Sequence, residues 1–261
     1  MKTSKASFGA VKSKLLNALM LAALAAPGMA MAEETSPFSA NVGFTTDYIF
    51  RGISQAAHNP AVQGGIDYAH ANGFYAGIWG SNVSWIADSG AIASGSAGME
   101  LDTYVGFGGN FTDDFTYDVG FIRYNYPGSY TPTAGFAKAD TDEIYGAIGY
   151  KWVSAKYSYG LGQFLTVPDA KGTNYLEINA DIPVGDTGFT FSAHAGKQTY
   201  RGASAAAATY TDYKLGISRE FGGFEFGLAY TSTNAGPFYT WPATGGDWGK
   251  GTAALSVTRS F

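Results

Sequence analysis

Phe115-Thr116-Tyr117-Asp118-Val119-Gly120-Phe121 decides how the chain is read. Phe115, Tyr117, Val119 and Phe121 fall on one side of an extended backbone, and Thr116, Asp118 and Gly120 fall on the other. Side chains of a strand alternate between its two faces, so this segment is a strand with one apolar and one polar face. The same rhythm runs through the chain on both sides of it. Val42, Phe44, Tyr48 and Phe50 oppose Asn41, Thr45, Asp47 and Arg51. Leu101, Val105 and Phe107 oppose Glu100, Asp102 and Tyr104, and Ile144, Ile148 and Tyr150 oppose Glu143, Tyr145 and Ala147. Val153 and Tyr157 oppose Lys156, Leu176 and Ile178 oppose Glu177, and Leu215 and Ile217 oppose Asp212 and Lys214. Segments at 62–68, 74–83, 189–194, 224–231 and 252–261 complete a set of twelve predicted strands.

The connections alternate in length. Asn72-Gly73, 111–114, the join near Trp152, 184–188 and Gly222-Gly223 are short; 54–59, 84–98, 127–139, 166–172, 199–209 and 234–250 are long. An outer-membrane barrel has an even number of strands, short turns on the periplasmic side and long loops outside. The expected fold class is therefore all-β: a transmembrane antiparallel up-and-down β-barrel of about twelve strands over residues 38–261, with short periplasmic turns and longer extracellular loops.

Composition agrees with this. Of 261 residues only 14% are charged, against about a quarter in ordinary soluble chains. Apolar residues reach 46%, yet mean hydropathy is −0.06, because polar residues are interleaved with them. The absence of cysteine removes disulfides, thiolate metal sites and a cysteine nucleophile. Acids outnumber bases by 21 to 16, which argues against a nucleic-acid partner.

Lys2, Lys5, Lys12 and Lys14 precede an apolar stretch from Leu15 to Ala26 and a small-x-small step at Ala30-Met31-Ala32. That is the pattern of a cleaved signal peptide over residues 1–32. The stretch is too short for a spanning helix. Residues 33–37 are then a short leader, and the protein is expected in a bacterial outer membrane. Arg123, Lys151, Lys197, Arg219 and Arg259 share the apolar face but lie near strand ends, away from the bilayer centre where a cation costs about 2–4 kcal/mol. Aromatic residues such as Tyr48, Phe50, Tyr150, Trp152, Phe189 and Phe261 collect near strand ends, as interfacial girdles do. Phe261, with Val257 and Leu255 at alternate positions before it, reads as the signal recognised by the barrel-assembly machinery.

The run Asn41-Val42-Gly43-Phe44-Thr45-Thr46-Asp47-Tyr48-Ile49-Phe50-Arg51-Gly52-Ile53-Ser54-Gln55 resembles the opening signature of the TorF-type porin family, proteobacterial outer-membrane proteins known as conserved hypotheticals. Phe74 to Val83, Glu100 to Tyr104, Tyr124 to Gly128 and Glu143-Ile144-Tyr145 extend the resemblance over nearly the whole predicted barrel. It implies an outer-membrane barrel with a channel role and no known substrate.

The polar face supplies the candidate site. Asp47, Arg51, Glu100, Asp102, Asp118, Glu143, Lys156, Glu177, Asp212 and Lys214 are the candidate pore-lining residues. Acids dominate, and an acidic lumen gathers cations. The expected function is passive passage of small hydrophilic solutes, with a preference for cations and no cofactor. Asp47, Arg51, Glu100, Asp102, Glu143 and Glu177 fall in the outer halves of their strands and would ring the mouth. The competing expectation is that these charges pair across a filled interior, because eight strands give a filled barrel and sixteen an open one. In that case the chain is a structural or ligand-binding barrel acting through its outer loops, where Trp85, Tyr130, Phe238, Tyr239 and Trp241 lie. Arg51-Gly52 and Arg201-Gly202 are aromatic-Arg-Gly steps expected at the outer rim, as interfacial cations beside glycine turns. Lipid and lipopolysaccharide are the expected surroundings. A hydrolase would need a nucleophile beside a base. His194, with Ser192 two residues away, is the single inward candidate, and no Gly-x-Ser-x-Gly elbow is present.

Overall fold

The predicted strands become the staves of one closed wall. The computed structural model describes residues 36–241 and 245–261; the predicted signal peptide lies outside them. The wall strands are β1 (Phe38–Thr45), β2 (Ala61–Ala69), β3 (Phe74–Asn82), β4 (Met99–Asn110), β5 (Phe115–Asn125) and β6 (Thr141–Tyr150). They continue as β7 (Val153–Gly160), β8 (Asn174–Pro183), β9 (Phe189–Thr199), β10 (Tyr210–Phe221), β11 (Phe224–Thr233) and β12 (Thr252–Ser260). Each pairs antiparallel with its neighbours in sequence, and β1 pairs with β12 to close the barrel. The seam runs from Asn41 opposite Ser260 to Thr45 opposite Ser256. Closure leaves no edge, so every backbone group in the wall has a partner without water. Among the described residues no helix is long and apolar enough to cross a membrane.

The apolar face of every strand points out and stays exposed. Ile66 is 61% exposed, Ile148 63%, Leu215 57% and Leu255 57%. A belt of large exposed aliphatic and aromatic side chains around a closed barrel is a surface made for lipid, since in water it would be an aggregation hazard. The cations on this face sit near strand ends, and most are paired with a carboxylate or seated over an aromatic ring. Arg123 pairs with Asp142 at 3.0 Å, Arg219 lies over the Phe189 ring and Arg259 over Phe224.

One end of the barrel carries the short turns. Gly222 and Gly223, both at positive φ, join β10 to β11 as a two-residue hairpin that a side chain would strain. The other end carries the long loops. The second and third loops are tied together by a small sheet of Ile92–Gly95 against Tyr130–Pro132. The last loop contributes Tyr239, Trp241 and Trp248 to a buried cluster with Trp79, Trp85 and Tyr124 inside the loop end of the barrel. The hydrophobic core of this molecule is therefore a cap within the mouth.

The first strand departs from expectation. The alternating pattern runs on through Tyr48, Phe50 and Arg51, but β1 leaves the wall after Thr45. Residues 46–60 fold into the barrel instead. Tyr48 is 6% exposed and belongs to the buried cap, with Phe50 packed against it, so neither is part of an outer aromatic girdle. The change happens at Thr45, whose hydroxyl donates to the Asp47 carbonyl at 2.8 Å and turns the chain inward.

Glycine is abundant for a reason beyond curvature. Tyr104 lies against Gly77, Tyr75 against Gly106 and Tyr145 against Gly120, each pair directly opposite across two strands. A Cβ on Gly120 would come 2.4 Å from the Tyr145 hydroxyl, and one on Gly106 would come 2.2 Å from that of Tyr75. The rings lie flat along the inner wall because their partners have no side chain, a pairing that also relieves the weakness of glycine in a strand.

Candidate functional site

The inward segment after β1 is a hairpin laid across the lumen. Ile49 and Phe50 pair with Ser54 and Ile53, and the two residues between them, Arg51 and Gly52, have φ of 47° and 80°. Two consecutive positive φ values make the tight turn that matches strand twist. Glycine is required at the second position. A Cβ on Gly52 would meet Asp212 on β10 and Thr233 on β11 at 2.5 Å, and left-handed backbone resists a side chain in any case. The tip is thus pressed onto the inner wall at β10 and β11.

Arg51 fastens it there. Its guanidinium donates to both oxygens of Glu143 on β6, at 3.1 and 2.8 Å, and to Oε1 of Gln198 on β9 at 3.0 Å. It lies 4.4 Å from the centre of the Tyr175 ring on β8, and the Tyr210 hydroxyl donates to the Arg51 carbonyl at 2.8 Å. Burial opposes the charge on Arg51, but the Glu143 carboxylate overrides it and holds the guanidinium above its ordinary pKa. The base of the hairpin is fastened separately. Asp47 accepts from the Ser54 hydroxyl at 2.6 Å and meets Nδ1 of His58 at 2.6 Å. His58 in turn stacks on Trp248 and reaches the Asp247 carbonyl at 3.2 Å, which joins the first loop to the last.

The acids of the loop half are buried and mostly engaged. Tyr48 donates to Glu100 at 2.8 Å and Tyr124 donates to Glu143 at 3.1 Å. Burial and the neighbouring Glu100 charge keep the Tyr48 hydroxyl well above its usual pKa, so it stays a donor. Asp102 is 2% exposed, and its Oδ1 has no hydrogen-bond partner among the described residues. On the opposite wall His194 meets Asn179 Oδ1 at 2.6 Å, Asp212 Oδ2 at 2.8 Å and the Tyr175 hydroxyl at 2.9 Å. Asp212 also accepts from Tyr175, and Glu177 accepts from Asn179. The ring nitrogens of His194 are thus committed to these three groups, and Ser192 is not one of them. Nearer the turn end, Tyr104 donates to Asp67 and Tyr75 donates to Asp118 at 2.6 Å.

All ten candidate residues lie inside the barrel. Glu100, Asp102, Glu143, Glu177 and Asp212 come together in the loop half, each 3% exposed or less. Asp118 sits lower, and Lys156 and Lys214 are half-buried midway along their strands. Asp47 and Arg51 reach the interior from the hairpin and not from the wall, so Arg51-Gly52 is not a step at the rim. Arg201-Gly202 does lie in a loop at the mouth, with Arg201 exposed. Tyr48, Tyr175, Gln198, Asn179 and Trp248 complete the networks and were not among the candidates. The Arg-Gly pair between Ile49-Phe50 and Ile53 carried the signal for the hairpin, since two turn-prone residues between β-formers mark a tight turn.

A small cavity of about 70 Å³ lies beneath the hairpin. Phe50, Arg51 and Gly52 bound it on one side, and Lys156, His194 and Lys214 on the other. The inward residues of the wall near the seam include the small Gly43, Gly65, Gly227 and Ser256.

The family model described as "Bacterial protein of unknown function (Gcw_chp)" matches residues 30–261. No curated protein matches the chain. Among solved structures, a KdgM porin in complex with disordered oligogalacturonate is similar with a TM-score of 0.51 at 11% identity, covering 85% of this chain and 99% of that one. OccAB3 of Acinetobacter baumannii gives 0.41 at 13% identity, covering 88% and 66%. OprD of Pseudomonas aeruginosa gives 0.37 at 12% identity, again covering 88% and 66%. At 11% identity the likeness to the KdgM porin is one of fold, a closed barrel.

Proposed function

We propose that this chain, which belongs to the Gcw_chp family of bacterial proteins of unknown function, is an outer-membrane channel for passive passage of small hydrophilic solutes, narrowed by its own first loop. The observation that carries the reading is a closed barrel with an apolar outside, a polar inside and a hairpin pinned across the bore by Arg51 and Glu143. Twelve strands enclose more than eight can fill with side chains, and the hairpin takes up the surplus at the mouth. In the turn half, Asp67, Asp118, Asp181 and Glu225 face inward below Lys156 and Lys214, and this excess of acids supports a preference for cations. The resemblance to TorF-type porins and the porin-like fold point the same way. Export by a signal peptide, assembly through Phe261 and contact with lipopolysaccharide belong to the same proposal.

The packed cap of Trp85, Trp241 and Trp248 favours a second reading, a closed barrel whose outer loops bind a ligand. Conductance of the refolded protein in a planar bilayer under a salt gradient separates the two. Small stable steps with a cation-selective reversal potential are expected. Protein shown to be folded and inserted that passes no current overturns the channel and leaves the loop surface as the working part.

A further inference from the structure

The cavity beneath the hairpin is lined by both signs of charge, but the two signs are not equally available. Asp212 is 1% exposed, and its two oxygens are taken by Tyr175 and His194. Glu177 is 3% exposed and receives the Asn179 amide. Arg51 is spent on Glu143 and Gln198. Lys156 and Lys214 are different. Both line the cavity, both are half-buried, and neither forms an ion pair or hydrogen bond among the described residues. Lys156 has its ammonium over the Tyr145 ring on β6, 4.2 Å from the centroid.

The wall geometry sets them apart at a useful spacing. Lys156 on β7 stands opposite Glu177 on β8, and Lys214 on β10 stands opposite His194 on β9. Three strand steps separate β7 from β10, about 14 Å along the wall at the usual interstrand distance. On this arc the two ammonium groups bring six N–H bonds that no hydrogen bond or ion pair takes up, beside one Glu177 oxygen and the Thr231 hydroxyl.

We infer that Lys156 and Lys214 form a subsite for a small oxyanion, a carboxylate or phosphate group, beneath the hairpin of an otherwise acidic barrel. It requires the interior to be reachable by solutes, as the proposed function does, but it does not require the barrel to conduct. An anionic group would enter from the turn half, exchange water for the two ammonium groups, and meet the hairpin above it as a floor meets a ceiling.

Isothermal titration of the full protein, folded in detergent micelles at constant ionic strength, tests this with gluconate and inorganic phosphate as probes. Saturable binding of one or both is expected, weakened at least tenfold in Lys156→Gln/Lys214→Gln, kept within about threefold in Lys156→Arg/Lys214→Arg, and unchanged in Lys171→Gln, an exposed loop lysine. Gluconate alone binding identifies a carboxylate site and phosphate alone a phosphate site. Absence of saturable heat with both probes, or binding that the double Gln variant retains, overturns the subsite. Should that variant fail to fold by heat-modifiable migration, Lys214→Gln alone serves, because Lys214 leaves no partner unpaired. Binding without conductance in a bilayer removes the channel and keeps the subsite; conductance without binding does the reverse.

Discussion

Glu143→Gln is the sharpest probe of the hairpin. The substitution keeps the size of the side chain and removes the charge that Arg51 faces. The two side chains are 8% and 1% exposed, so the guanidinium would be left as a buried cation without its counter-charge. Removing one partner of a buried pair costs about 3–5 kcal/mol. Part of that is retained here. Gln198 still accepts from the guanidinium, the Tyr175 ring still lies 4.4 Å away, and the new amide carbonyl accepts one bond. A buried cation over an aromatic face keeps up to about 2 kcal/mol. The net loss is then about 2–3 kcal/mol, which shifts the balance between the in-folded and released hairpin roughly 30- to 150-fold. Single-channel recording reads this as the fraction of time spent in the larger conductance state. That fraction is expected to rise steeply in Glu143→Gln and to fall back when Arg51→Met is added, since the double variant buries no lone charge. An open fraction and a urea midpoint both equal to those of the wild type would refute the idea that this pair holds the hairpin.

Three further outcomes follow from other parts of the wall. Gly120→Val places a side chain where the Tyr145 ring lies and is expected to lower stability by about 1–3 kcal/mol, seen as a lower temperature for loss of the compact gel band. Val119→Arg puts a cation on the lipid face at the middle of β5 and is expected to cost about 2–4 kcal/mol in reversible urea unfolding from phospholipid. The same change at exposed Phe136 in the third loop should cost under about 0.5 kcal/mol. His58→Ala removes the contact between the first and last loops, so red-shifted tryptophan emission from newly wetted Trp248 is expected, with the wall strands still protected from hydrogen exchange.

The wall was legible because its physics is local and repeats. Alternation at Phe115 to Phe121 or Phe224 to Tyr230 needs no knowledge of the partner strand, and the turn-loop rhythm orders the strands without further help. The inward placement of Glu100, Glu143, Glu177 and Asp212 followed from the same parity. The hairpin was hidden by that parity. Tyr48 and Phe50 continue the outward phase of β1, and only the Thr45 hydroxyl and the Arg51-Gly52 turn mark the departure from the wall. Arg51 could not be paired in advance, because its partners are 92 and 147 residues away. The tyrosine-glycine pairs were likewise concealed, since they exist only in the register that sets Gly106 opposite Tyr75 and Gly120 opposite Tyr145.

That separation in sequence bears on how the molecule comes to be built. The strand that carries the hairpin is also the strand that shuts the cylinder, and Arg51 finds no anchor until β6, β8 and β9 stand side by side. Contacts so far apart along the chain form late. The hairpin can therefore settle only once those strands stand together, and it enters through the mouth that the closed wall leaves open. Until it does, the barrel has the same residues and the same strand pairs, with Arg51 at the mouth and Glu143 without its partner. The stopper is thus the last part of the molecule to be set.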